Sequence, residues 1–259
     1  MSKHMSQGRV ALLSISAAAL AIAVTMMGQP VVLAQQGAPP QPSPWAAAPI
    51  DMTGYWVSVV NEDWRWRMVT PPRGDVASIP INDAGRKAAD SWDPATDGSC
   101  LAYGAGGLMR IPTRLHITWE GDNVLKIETD AGVQTRRLLF DASAPAGARS
   151  LQGRSIATWE RPGGGGGAGG RGAVGGSLLV VTDNLTAGWL RKNGVPYSQN
   201  AKVTEYFDTF TAPNGDRWLT VTTLVDDAQY LNQTFVTSTH YKREPDGAKW
   251  SPAPCKPTT

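Results

Sequence analysis

The chain has 259 residues, 41% of them hydrophobic, and a formal net charge of +2 from 24 basic and 22 acidic side chains. That balance speaks against nucleic acid as a partner, because a phosphate-backbone binder needs a clustered basic surplus to release counterions and the sequence has none. The length suits one sizeable hydrophobic core.

At the start of the chain, Lys3 and Arg9 precede an uncharged run from Val10 to Met27; Gly28 and Pro30 then lead into Val32-Leu33-Ala34 before Gln35. This is the pattern of a secretory signal peptide over residues 1–34, and it predicts a periplasmic or secreted protein; an uncleaved anchor is the alternative for the same apolar run. Loss of the leader takes two of the 24 basic residues and no acid, so the remainder balances the 22 acidic ones. No second long apolar run follows, and no membrane span is expected after cleavage. Residues 35–50, rich in Pro, Ala and Gln, are predicted to be a disordered linker. Residues 51–259 follow as a single domain.

From Asp51 onward, short runs of β-branched and aromatic residues alternate with Gly, Pro, Asn and Asp. Strands are predicted at Thr53 to Val60, Trp64 to Val69, Thr113 to Trp119, Val124 to Thr129, Val133 to Phe140, Arg154 to Glu160, Leu178 to Thr182, Lys202 to Thr211, Arg217 to Val225 and Thr234 to Arg243. Tight turns at Glu120-Gly121-Asp122-Asn123, Asp130-Ala131-Gly132 and Pro213-Asn214-Gly215-Asp216 imply consecutive hairpins. One short helix is predicted from Asp83 to Trp92, with Asn82 as N-cap and Asp93-Pro94 as stop. The fold class is therefore all-β: an antiparallel meander of about ten strands that closes into a barrel or a strongly curved sandwich, since an open sheet would leave exposed edges. The glycine-rich run Gly163 to Gly176 falls between two strands and reads as a hairpin tip; a phosphate cradle would need a helix after it.

The two cysteines, Cys100 and Cys255, are expected to pair in an oxidising compartment, closing a long loop worth about 5 kcal/mol in the chain-entropy model and pinning the tail to the body. Their spacing offers no metal site.

Alternation along Lys202 to Thr211 puts Glu205 on the face of Val203 and Phe207, where an acid is expensive unless paired. It is a candidate general acid or base with a pKa raised by desolvation, or else half of an internal ion pair with Arg114, Arg136 or Arg137. Leu115, Ile117 and Trp119 share one face of their strand, and Arg114, His116 and Thr118 the other; in a barrel with a polar interior, Arg114 and His116 would sit beside a ligand. His240 shares a face with Val236 and Ser238 and is a second proton-transfer candidate. Trp64-Arg65-Trp66-Arg67 could form a stacking row. No nucleophile elbow, zinc-protease motif, Walker loop or dinucleotide fingerprint occurs, and no cofactor is expected.

Gly54-Tyr55-Trp56 resembles the G-x-W at the barrel mouth of lipocalins, with Trp56 as the plug. A broader resemblance runs through Asp51-Met52-Thr53-Gly54-Tyr55-Trp56, Trp92-Asp93-Pro94 leading to Cys100, Gly153 to Glu160, Leu179 to Thr182, Asn193-Gly194-Val195-Pro196-Tyr197-Ser198, Val203 to Phe207 and the closing Cys255. These phrases are similar to a family of exported β-rich proteins of unknown function from soil bacteria, Acidobacteria and proteobacteria. The resemblance implies a secreted barrel with Trp159, Tyr197 and Glu205 as residues to watch; Tyr197 stands where that family usually has His. The resemblance supplies no activity, and the residues themselves leave three functional expectations. One is a barrel binding a small lipophilic or aromatic ligand, walled by Trp56, Trp119 and Trp159 with Arg114 or Glu205 orienting a polar group. Another is a cofactor-independent lyase, isomerase or hydrolase using Glu205 with Tyr197, His116 or His240. An envelope scaffold without a pocket is the third.

Overall fold

Period-two alternation of apolar residues curls one sheet into a closed barrel in the computed structural model, which describes residues 41–161 and 175–257. The predicted leader, the first part of the predicted linker and most of the glycine-rich run lie outside the described residues. In chain order the strands are β1 (Gly54–Val59), β2 (Arg114–Glu120), β3 (Val124–Thr129), β4 (Ala131–Gly132), β5 (Thr135–Leu139), β6 (Arg154–Glu160) and β7 (Ser177–Asp183). They continue as β8 (Gly188–Arg191), β9 (Val195–Tyr197), β10 (Lys202–Thr211), β11 (Arg217–Asp226), β12 (Phe235–Glu244) and β13 (Ala253–Pro254). Two α-helices, α1 (Trp64–Arg67) and α2 (Asp83–Asp90), and three short 3₁₀ turns lie between β1 and β2.

Nine strands form the ring, in the order β1-β12-β11-β10-β7-β6-β5-β3-β2 and back to β1. Strict up-and-down alternation closes only with an even number of strands, so an odd ring must contain a parallel contact. That contact is β5–β6, which pairs only Leu138 with Ser155 and Leu139 with Ile156. Every other seam is antiparallel, and the longest, β10–β11, runs for ten residue pairs. The barrel is thus mixed where consecutive hairpins alone would give a pure meander, and residues 140–153 run back along it to make the parallel step.

Inward side chains fill the interior. Trp56, Leu115, Ile117, Leu125, Leu138, Phe207 and Tyr241 belong to one buried cluster. A second, built from Ile79, Ile81, Leu190, Tyr197, Val203, Val225 and Phe235, closes the end at which β12 begins. The β8–β9 hairpin that supplies Leu190, Val195 and Tyr197 is buried on both faces, so it shows no alternation. Its turn is built on Asn193-Gly194, with Gly194 at φ 77°, a signal for a hairpin.

The predicted strand Trp64 to Val69 is instead α1 followed by a loop. Alternating Trp and Arg mimic a half-buried strand, but this segment has no free sheet edge to join. The helical turn sends Arg67 inward while Trp64 stays exposed. Helix α2 forms where expected: the Asn82 side chain accepts the Gly85 amide at 2.9 Å and the helix ends before Pro94. Cys100 and Cys255 are joined, with Cα atoms 5.0 Å apart. The tail is held alongside by the β13–β4 pairing and by the Cys100 amide donating to the Lys256 carbonyl at 2.8 Å. Among the described residues no helix is long and apolar enough to cross a membrane.

Candidate functional site

Glu205 points inward from the middle of β10 and is fully buried. Arg136, inward from β5 by the same alternation, meets it with two parallel hydrogen bonds: Nη1 donates to Oε1 at 3.0 Å and Nη2 to Oε2 at 2.6 Å. The same Nη2 lies 3.3 Å from Ser155 Oγ and 3.2 Å from Thr182 Oγ1, hydroxyls that bond each other at 2.8 Å. Both carboxylate oxygens are therefore engaged by a planar cation, the strongest pairing available to them. Arg136 Nε and the Oγ1 of Thr223, which faces Glu205 across the β10–β11 seam, are buried without a hydrogen-bond partner.

Tyr197 lies on β9, outside the ring of strands, in a cradle made by Gly104, Gly106 and Gly188. A methyl group at any of the three would collide with its ring or hydroxyl. Burial pushes the phenol well above its ordinary pKa, so it stays protonated at neutral pH, and its hydroxyl makes no hydrogen bond.

The histidines lie on the other side of the wall. His116 alternates with the inward Leu115 and Ile117; it stacks on Tyr55 with ring centroids 4.2 Å apart, and its Nδ1 is 3.2 Å from Glu128. His240 is on the outer face of β12, with Nδ1 3.2 Å from Glu62. The structure does not bring His116 or His240 to Glu205, because side chains of opposite parity leave a sheet on opposite faces. Arg114 is likewise outside, with Nε 2.9 Å from Glu244, so it orients nothing in the interior.

Trp119 and Trp159 do meet. They point inward at the last rung of β2 and β6, at the end of the barrel opposite Tyr197, and Phe140 sits between them just beyond β5. Ring centroids are 5.6 Å apart for Trp119–Phe140, 5.4 Å for Phe140–Trp159 and 6.5 Å for Trp119–Trp159. All three are only partly buried. Below them Trp56 is sealed in the core: its Nε1 donates to the Met52 carbonyl at 2.8 Å and the Arg243 guanidinium lies 5.4 Å over its ring. Trp56 is thus the floor beneath the mouth, out of reach of a ligand at the rim.

Over the mouth runs the segment from Ser43 to Ile50, part of the stretch expected to be a disordered linker. Trp159 Nε1 donates to the Pro44 carbonyl at 2.8 Å, the Trp45 amide to Asp122 at 3.1 Å, and Arg161 Nη2 to Ala47 at 2.7 Å. Trp45 itself remains 56% exposed. The Pro and Ala content of 43–50 hides this role, which depends on main-chain carbonyls; Phe140 was visible as the inward partner of Arg136 and Leu138 by parity. Among the described residues no group of three His, Cys, Asp or Glu side chains gathers that could hold a metal ion. Searches of protein-family models, curated proteins and solved structures with this chain find no match.

Proposed function

We propose that the protein is an exported β-barrel that binds a small aromatic or lipophilic molecule at the mouth formed by Trp119, Phe140 and Trp159. The carrying observation is the meeting of three partly exposed rings at one rim, beneath a strap attached to them chiefly through its backbone. Offset aromatic faces around a common edge favour insertion of another flat apolar group, and the strap beside that edge is held at Pro44 by the Trp159 hydrogen bond and at Ile50 by packing against the core. The disulfide and the leader pattern support a site of action outside the cytoplasm. The catalytic alternative finds less support, since Glu205 has both oxygens committed to Arg136 and no histidine beside it.

The test is fluorescence titration with the neutral probe N-phenyl-1-naphthylamine. Saturable binding is expected, weakened about tenfold or more by Trp159→Ala or Trp119→Ala, a loss of about 1.4 kcal/mol or greater. Absence of saturable binding, or binding by both variants as tight as by the unsubstituted protein, overturns the assignment.

A further inference from the structure

A second polar centre lies at the opposite end of the barrel, where β12 begins, and the aromatic mouth makes no use of it. Three arginines bury their heads there: Arg67 from α1, Arg110 from the turn before β2, and Arg191 from β8, none more than 5% exposed as a residue. Arg67 Nη1 pairs with Glu62, and its Nε donates to the Arg110 carbonyl at 2.8 Å. Arg110 Nη2 pairs with Asp63 at 2.9 Å, and its head lies 5.6 Å over the Phe235 ring. Arg191 stacks 4.9 Å over Trp66, the neighbour of Arg67 on α1.

Arg191 differs from the other two. Its Nη1 and Nη2 donate only to the neutral carbonyls of Asp75 and Ala77, at 3.3 and 2.9 Å, and among the described residues it makes no ion pair. Each guanidinium also keeps one buried N–H without a partner: Nη2 of Arg67, Nη1 of Arg110 and Nε of Arg191. Arg67, Arg110 and Arg191 therefore have two direct carboxylate partners, Glu62 and Asp63, while the Asp75 carboxylate acts on Arg191 only through space, and three buried donors are left over. A buried charge in that condition is unfavourable unless an anion completes it. Burial and the nearby Arg110 charge lower the Arg191 pKa to about 10, in keeping with one shared electrostatic environment. Glu62 and Asp63, with side chains 29% and 32% exposed, form the approach from solvent.

We propose that Arg67, Arg110 and Arg191 form a binding site for a small oxyanion, a phosphate or sulfate group either free or carried as the ester head of a larger molecule. Guanidinium forks match such oxygens in geometry as well as in charge. Glu62 and Asp63 then act as resident competitors that hold two of the heads while no anion is bound.

Calorimetric titration of the full chain at constant ionic strength tests this, with inorganic phosphate, sulfate and phenyl phosphate as ligands and chloride as control. Phosphate is expected to bind saturably. Arg191→Gln, checked as folded in chloride, should weaken it about tenfold or more, and Arg191→Lys should fall between, keeping the charge without the fork. Glu62→Gln removes a competitor and should tighten binding several-fold. Binding of phenyl phosphate alone identifies an ester head as the ligand; binding of inorganic phosphate as well identifies the free ion. No binding by any of these oxyanions, binding that chloride reproduces, or equal affinity in folded Arg191→Gln overturns the proposal, as does weaker binding in Glu62→Gln. The mouth is separate, so Arg191→Gln leaves the naphthylamine titration unchanged if both assignments hold.

Discussion

Tyr197 and Tyr241 are both buried phenols whose pKa values are raised by desolvation. Tyr241 has a partner, donating to the Met109 carbonyl at 2.8 Å, and Tyr197 has none. Removing the Tyr197 hydroxyl therefore removes a desolvated group and no bond, and Tyr197→Phe is expected to be neutral or stabilising within about 1 kcal/mol in urea unfolding. The two phenols also make stability fall at alkaline pH. In the unfolded chain they ionise near 10.0 and in the folded chain well above it. Their contribution is thus complete below about pH 10, and falls as rising pH draws protons from the unfolded state first. A tyrosinate absorbance titration should show two of the six tyrosines ionising only as the protein unfolds. At the Glu205–Arg136 pair, Glu205→Leu alone leaves a buried, uncompensated guanidinium and is expected to destabilise by about 3–5 kcal/mol. The double replacement Arg136→Met with Glu205→Leu should recover much of that loss, so a double-mutant cycle measured in urea checks both.

Elements differ in how much they declare themselves, and burial on one face or two is the reason. β10, β11 and β12 alternate cleanly because one face meets the core and the other water, so their bounds and the inward position of Glu205 were legible. The ion-pair alternative for Glu205 was also legible, with Arg136 among its named partners; which arginine closes it depends on strands far apart in sequence. The β8–β9 hairpin was not read, since both of its faces are covered and only Asn193-Gly194 announces it. The meeting of Trp119 with Trp159 needed the ring order, which no local pattern encodes. Packing between the hairpin and the segment Gly104 to Gly107 beside it can be tested directly. A Cβ at residue 104 would run into the Tyr197 hydroxyl, so Gly104→Ala is expected to cost about 1–3 kcal/mol as an overpacked contact. Tyr197→Phe in the same chain should restore part of it, because the ring carbon behind the hydroxyl is 3.3 Å from that Cβ position. A Gly104→Ala penalty unchanged by Tyr197→Phe would place the clash elsewhere.

At the scale of the molecule, a barrel with about ten strands and one disulfide could be read from alternation, turn chemistry and cysteine count. The parallel seam could not, because residues 140–153 carry no periodic signal of a return along the wall. That seam has two residue pairs, while β1–β12, the other closure between distant strands, has five. The Arg136–Ser155 contact crosses the short seam from inside, and Arg136 reaches on to Glu205 on β10. The buried ion pair thus ties β5 to the strands beyond the gap. Amide exchange at Ile156 and Leu139 is expected to be faster than at the β10–β11 seam, and to quicken further in Arg136→Met. Reduction of Cys100–Cys255 is expected to lower stability by about 2–5 kcal/mol, read as a lower urea midpoint with reductant present.

The strand order also divides the polypeptide into two consecutive halves: β1, β2, β3 and β5 before the return segment, and β6, β7, β10, β11 and β12 after it. Each half is a run of antiparallel neighbours in the ring, and Cys100 belongs to the first while Cys255 belongs to the second. A protease nick within the exposed stretch Pro145 to Arg149 would therefore yield two fragments still tethered by sulfur. They would migrate as one species on a denaturing gel until thiol is added.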